Sequence, residues 1–145
     1  MRSIIIELAG APRGKGRPRF STKTGRAFTP EKTVRYESEL KMAAQIAMDG
    51  APLFEGPLQV VIHAFMPVPS SKPRKWQLRA LATRELPTTK PDPDNIAKMM
   101  DALNLVVWKD DAQIADLIVR KRYAAEPRLT VLVETMEDWL ENIFD

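Results

Sequence analysis

At 145 residues the chain has room for one domain and no independent second one. Its apolar fraction of 44% supports a core, and the absence of cysteine excludes a disulfide framework and thiolate metal sites. The net charge of +3 is unevenly spread: Arg13, Lys15, Arg17, Arg19, Lys23 and Arg26 crowd residues 12–26 without an acid, whereas residues 134–145 carry only acids. This separation points to a polyanion partner at the basic end, against the plainer reading of a solvated surface.

Residues 3–8 (SIIIEL) are rich in β-branched side chains and predict a strand. The apolar run is too short for a signal segment or a membrane span, so a soluble, cytoplasmic protein without membrane contact is expected. Residues 10–30, rich in Gly, Pro and bases, read as a long functional loop suited to DNA binding. Thr29 as N-cap and Pro30 at the first helical position predict a helix to about Met48, with Val34, Leu40, Ala44 and Ala47 on its apolar side and Asp49-Gly50 as its stop. Residues 57–66 (PLQVVIHAFM) predict a strand apolar on both faces, hence central.

After a proline-rich turn, residues 74–85 suit a short basic helix, and the prolines of LPTTKPDP hold that stretch extended. Residues 94 to about 105 predict the second main helix. Strands are expected at 113–123 and 128–135, joined by AAEP as a hairpin turn. The acidic tail, residues 136–145, is amphipathic and suits a final short helix. The expected fold is α+β: a single domain over 1–145, a mixed four-stranded sheet with helices packed on it, in the order β-α-β-α-β-β.

The chemistry concentrates in residues 90–116, KPDPDNIAKMMDALNLVVWKDDAQIAD. Asp92 and Asp94 flank Pro93 at a helix start, close enough to share one cation. Asp110 and Asp111 follow that helix, where a chain reversal can bring them back beside its beginning. Clustered carboxylates repel one another unless a positive charge lies between them. An all-oxygen donor set suits Mg²⁺ or Mn²⁺, which can stabilise charge on a phosphate and acidify a water. Lys98, four residues after Asp94, lies on the same helical face and can reach a phosphate oxygen. The structural alternative is that Asp92 caps the helix, Asp94 and Lys98 form a surface pair, and Asp110-Asp111 is an ordinary turn.

The string DPDN, then Lys98, DAL at 101–103 and WKDDAQ at 108–113 resembles the RusA family of Holliday-junction resolvases, as does GKGRPRFSTKTGRAFTPEKTVRYE at 14–37. The resemblance runs from the first strand to about Val133. It implies a homodimer that binds branched DNA, a four-way junction in recombination and repair, and makes paired symmetric cuts with Mg²⁺, for which Mn²⁺ can substitute. It places the metal-binding acids on Asp92, Asp94 and Asp111 and the essential lysine on Lys98. No role follows for Asp101, and residues beyond Met136 have no counterpart.

Among the remaining residues, His63 reads as a packed strand residue rather than a general base. Trp76, in a basic segment, is the tryptophan suited to DNA contact, whereas Trp108 suits an anchor for the Asp110-Asp111 loop. Phe20 fits either a wedge between bases or a core plug. Gly14-Lys15-Gly16-Arg17 lacks the spacing of a nucleotide-binding P-loop. The competing function is a non-catalytic, small basic DNA- or RNA-binding protein. Such a module has no reason to gather Asp92, Asp94 and Asp111 where phosphates approach.

Overall fold

The computed structural model describes residues 1–136. The expected tail helix therefore lies outside the described residues. Strands are β1 (Ser3–Ala9), β2 (Arg19–Phe20), β3 (Ala27–Phe28), β4 (Leu58–Pro67), β5 (Ile114–Ala124) and β6 (Arg128–Thr135). Helices are α1 (Glu31–Met48), α2 (Arg74–Leu81) and α3 (Pro93–Ala97), with 3₁₀ segments at Lys98–Leu103 and Asp111–Gln113. The fold is α+β, with the expected mixed four-stranded sheet and helices packed on it. The loop expected over 10–30 contains a small antiparallel ribbon, β2 with β3.

The main sheet has the order β1-β6-β4-β5. Strand β4 pairs parallel to β5 and antiparallel to β6. It is central, as its apolar run requires. Leu58, Val60, Ile62 and Ala64 are fully buried on one face, and the alternate residues are half-covered. The parallel β4–β5 pair needs a crossover, and α2, α3 and the 3₁₀ segments supply it.

The hairpin expected at AAEP does not form. Strands β5 and β6 lie on opposite sides of β4 instead of pairing with each other. A strand apolar on both faces is buried best with a neighbour at each edge, and that demand outweighs the local turn. The link from Ala125 to Pro127 crosses two strand spacings, about 10 Å, within reach of three extended residues.

Helix α1 packs on β1 through a stripe of Tyr36, Leu40, Ala44 and Met48, spaced four apart. Val34, expected on this side, is exposed. The helix starts one residue later than Thr29 as cap would give: Pro30 is extended (φ −55°, ψ 143°), and its carbonyl accepts from the Thr33 and Val34 amides. The stop holds, with Asp49 left-handed at φ 47°. No helix among the described residues is long and apolar enough to cross a membrane.

Candidate active site

The segment from Asp92 to Gln113 folds as a short helix, a tighter coil and a clamped loop, and each part carries acids: Asp92 and Asp94, then Asp101, then Asp110 and Asp111. Helix α3 begins with Pro93 at its first position and Asp92 in extended conformation before it (φ −70°, ψ 148°). The Asp92 carbonyl accepts from the Asn95 and Ile96 amides at 3.1 Å, but its carboxylate makes no capping bond. The acid is thus not used for the structural task that would have explained it. Asp94 is exposed, with Lys98 Nζ 3.8 Å from its Oδ2 and 3.5 Å from Asn95 Oδ1.

The helix expected to run to about residue 105 instead tightens at Lys98 into a 3₁₀ segment. Ile96, Met99, Met100 and Leu103 face the core, leaving Lys98 and Asp101 exposed three residues apart, on one side of a coil with three residues per turn. The chain then reverses through Leu105, left-handed at φ 66°. Trp108 is fully buried, and its Nε1 donates to Asn104 Oδ1 at 2.8 Å. The same oxygen accepts from the Asp111 amide at 2.9 Å, so one asparagine fixes both the indole and the acid-bearing turn. Trp108 anchors this loop as expected.

In that turn the two neighbouring acids part ways. Asp110 caps the 3₁₀ turn, accepting from the Ala112 amide at 3.0 Å. Gln113 Oε1 accepts from the Lys109 and Asp110 amides, and its Nε2 donates to the Phe54 and Gly56 carbonyls. Asp110 and Gln113 are therefore structural, leaving Asp111 as the acid without a capping duty. The Ala112 amide, then a bond with Asp111, holds the Asp110 carboxyl below its usual range. Burial, followed by the bond to Asp110 and repulsion from Asp110 and Asp101, pushes Asp111 up.

The basic loop reaches this segment through its glycines. Lys15 N donates to Asn95 O at 2.8 Å, and Gly16 N to Thr33 Oγ1 at 3.0 Å. A Cβ at Gly14 would lie 2.8 Å from Asn95 Cβ, and one at Gly16 would lie 2.9 Å from Thr33 Oγ1. Only glycine permits this approach, so the Gly-Lys-Gly-Arg string is a close-packing device. The Lys15 ammonium sits 2.7 Å from Asp101 Oδ2 and 3.6 Å from Glu37 Oε1. The bond to Asp101 raises its pKa against the opposing effect of burial.

Lys15, Arg17, Asp92, Asp94, Lys98 and Asp101 line one recess of about 380 Å³. A wider groove adjoins it, lined by Arg13, Arg19 and Lys32 and sharing Lys15, Arg17 and Asp92. Of the expected site residues, Asp92, Asp94, Lys98, Lys15 and Arg17 thus meet in one cleft, with Arg13 and Arg19 beside it. Asp111 lies outside that lining but close enough to Asp101 to feel its charge. Lys23 and Arg26 are exposed in the β2–β3 ribbon region. Trp76 stands apart on α2, half-buried, edge-on to Tyr123 at 5.4 Å and with Lys72 Nζ 5.2 Å from its ring centre. Phe20 is 68% exposed and is no core plug. His63 is half-buried on β4, 3.3 Å from Arg120 Nη1; burial, then Arg120 and Arg122, hold its pKa below the usual value. The residue missed by sequence reading is Asp101; its partner Lys15, expected only as a DNA contact, lies 86 positions away.

Residues 9–134 match the RusA endodeoxyribonuclease family. The chain belongs to that family. It is also 34% identical over 140 residues to the uncharacterized protein YqaN of Bacillus subtilis (strain 168), covering 92% of this chain and 96% of the relative. RusA membership makes the chain one of the Holliday-junction-resolving endonucleases, and the carboxylate cleft lies wholly inside the matched span.

The side-chain donors of this RusA-family cleft are oxygens, the carboxylates of Asp92, Asp94 and Asp101 with the Asn95 amide, the chemistry of a hard cation such as Mg²⁺ or Mn²⁺. Burial first, and then the neighbouring Asp110 and Asp101 carboxylates, disfavour the charged form of Asp111, and a bound cation would favour it. In kind, therefore, the residues fit the ion. Among the described residues, however, no three acids converge tightly enough to form a closed metal site.

Proposed function

We propose that the chain is a Mg²⁺-dependent, structure-selective endodeoxyribonuclease that resolves four-way DNA junctions in recombination and repair by paired symmetric cuts. It acts as a cytoplasmic homodimer. The observation that carries this reading is the cleft in which Asp92, its carboxylate free of capping, stands with Asp94 and Lys98 beneath a basic loop. Asp92, Asp94 and Asp111 would hold the ion. When bound, Mg²⁺ supplies charge neutralisation at the phosphate and lowers the pKa of an attacking water. Lys98 steadies a phosphate oxygen as charge develops on it. Arg13, Lys15, Arg17, Arg19, Lys23 and Arg26 attract the phosphate backbone, and Trp76 offers a stacking face to an arm of the junction.

The test is cleavage of a synthetic four-way junction by wild type and Asp94→Asn, with Mg²⁺ and with EDTA. Cutting is expected only with metal. It should fall by orders of magnitude in the variant, while junction binding persists because a charge repelling phosphate is gone. Wild-type cutting by Asp94→Asn would overturn the site. Junction binding without cutting under any divalent ion would favour a non-catalytic binding module.

A further inference from the structure

Asp101 faces the cleft as an acid that neither capping nor a local pair uses, in a position that invites assignment as another metal ligand. Its surroundings argue otherwise. A cation already sits on it: Lys15 Nζ is 2.7 Å from Oδ2, a short, charge-assisted bond. The ammonium is shared with Glu37 of α1, whose Oε1 is buried without a hydrogen-bond partner and lies 3.6 Å away. Without Lys15, that buried oxygen would lose the one cation within 4 Å of it among the described residues. The lysine thus ties together the 3₁₀ segment, α1 and the basic loop.

The backbone is fastened at the same point. The amides of Lys15 and Gly16 are bound to Asn95 O and Thr33 Oγ1, and the two flanking glycines permit that contact. Arg17, two residues on, lines the cleft with Asp92 and Asp94. Beyond Gly16 the loop is exposed from Arg17 to Phe28 apart from half-buried Ser21, so its register over the cleft depends on this anchor.

We propose that Asp101 anchors the basic loop rather than binding metal, and that Lys15, held between Asp101 and Glu37, is a positioning residue that sets Arg17 at the mouth of the carboxylate cleft. This rests on the nuclease reading for its purpose, but the anchor itself can be tested without catalysis.

Hydrogen exchange at the Lys15 and Gly16 amides reads the anchor directly, in wild type, Lys15→Met, Asp101→Asn and the double variant. Each single change should speed exchange about fivefold, the scale of one part-exposed ion pair. The double variant should add little, because both remove the same contact. The swapped pair Lys15→Asp with Asp101→Lys should recover part of the protection. Full-length protein titrated with Mn²⁺, followed by its electron-spin signal, should show at most a severalfold loss of affinity in Asp101→Asn, the effect of one nearby charge rather than of a lost ligand. With saturating junction, turnover of Asp101→Asn should hold while its half-saturating DNA concentration rises severalfold.

A loss of Mn²⁺ affinity by orders of magnitude in Asp101→Asn, beyond what one nearby charge gives, would make Asp101 a ligand and overturn the proposal. So would additive exchange effects, or exchange unchanged in all variants. A wild type that binds neither Mn²⁺ nor junction would instead overturn the nuclease reading, and the exchange data would still decide the anchor.

Discussion

Lys98 is four residues from Asp94 and 3.8 Å from its carboxylate, with both side chains mostly exposed. As a surface pair it contributes at most about 0.5 kcal/mol to stability. As a catalytic group its compact charge is needed where the phosphate becomes pentacoordinate, and arginine cannot reproduce its shape or hydration. Lys98→Ala and Lys98→Arg are therefore expected to slow single-turnover cutting at saturating enzyme at least a hundredfold, with little change in Tm. Normal cutting by Lys98→Ala would return the residue to a surface pair. His63 gives a pH prediction of a different kind. Its folded pKa is held below the usual 6.5 by burial, Arg120 and Arg122. The unfolded chain then takes up a proton first as pH falls through 6.5, so stability drops from there until the folded pKa is passed. His63→Gln should flatten that loss, measured as the urea midpoint between pH 7 and 5. An identical pH profile in the variant would show that the imidazole does not couple to folding. Most of the candidate cleft was legible at this scale because Asp92, Asp94 and Lys98 lie within seven residues of one another. Asp101 was not, because its meaning depends on Lys15, far away in sequence.

At the scale of elements, the basic loop was legible as a loop, but the work of its glycines was not, since it depends on what they touch. A Cβ at Gly14 would meet Asn95 Cβ at 2.8 Å and Pro91 Cβ at 3.0 Å, atoms at the stiff start of α3 rather than the end of a flexible side chain. Helix α3 is held by fully buried Ile96, so the loop is the part that yields. Gly14→Ala is expected to weaken junction binding severalfold and to speed exchange of the Lys15 amide. The cost in overall stability should be about 1–2 kcal/mol. Unchanged affinity and exchange would mean that the loop is held elsewhere. Two further elements departed from expectation for related reasons. The buried positions Ile96, Met99, Met100 and Leu103 fit an α-helix and a 3₁₀ coil almost equally, so the tightening that exposes Asp101 could not be read from periodicity. The AAEP link looked like a hairpin because short links between strands usually are. Sheet order, however, is set by which strand must be central, and β4 claimed both neighbours.

At the scale of the whole molecule, paired cuts at symmetric positions require two active sites related by a two-fold axis, and each chain carries one candidate cleft. The surface that a second copy would cover must be apolar and away from that cleft. Strand β1 is an edge of the main sheet, and Ile5 on it is 59% exposed. Beside it, α1 exposes Met42 (63%) and Ile46 (75%), and Ile5, Ala43, Ile46 and Ala47, with Glu7 as the one charged member, line a shallow recess between the two elements. Large side chains left together in solvent mark an interaction face. None of these residues lines the carboxylate cleft. Sedimentation at micromolar concentration is expected to show a dimer. Ile46→Glu should shift it to monomer without unfolding it, because the side chain is already in solvent. Junctions should then be nicked on one strand, with the second cut no longer coordinated. If the tail residues Trp139, Leu140, Ile143 and Phe144 hold the dimer instead, ending the chain after Met136 would yield monomer and Ile46→Glu would not. A wild-type monomer that still makes coordinated paired cuts would exclude an obligate dimer, because one site cannot reach both strands at once.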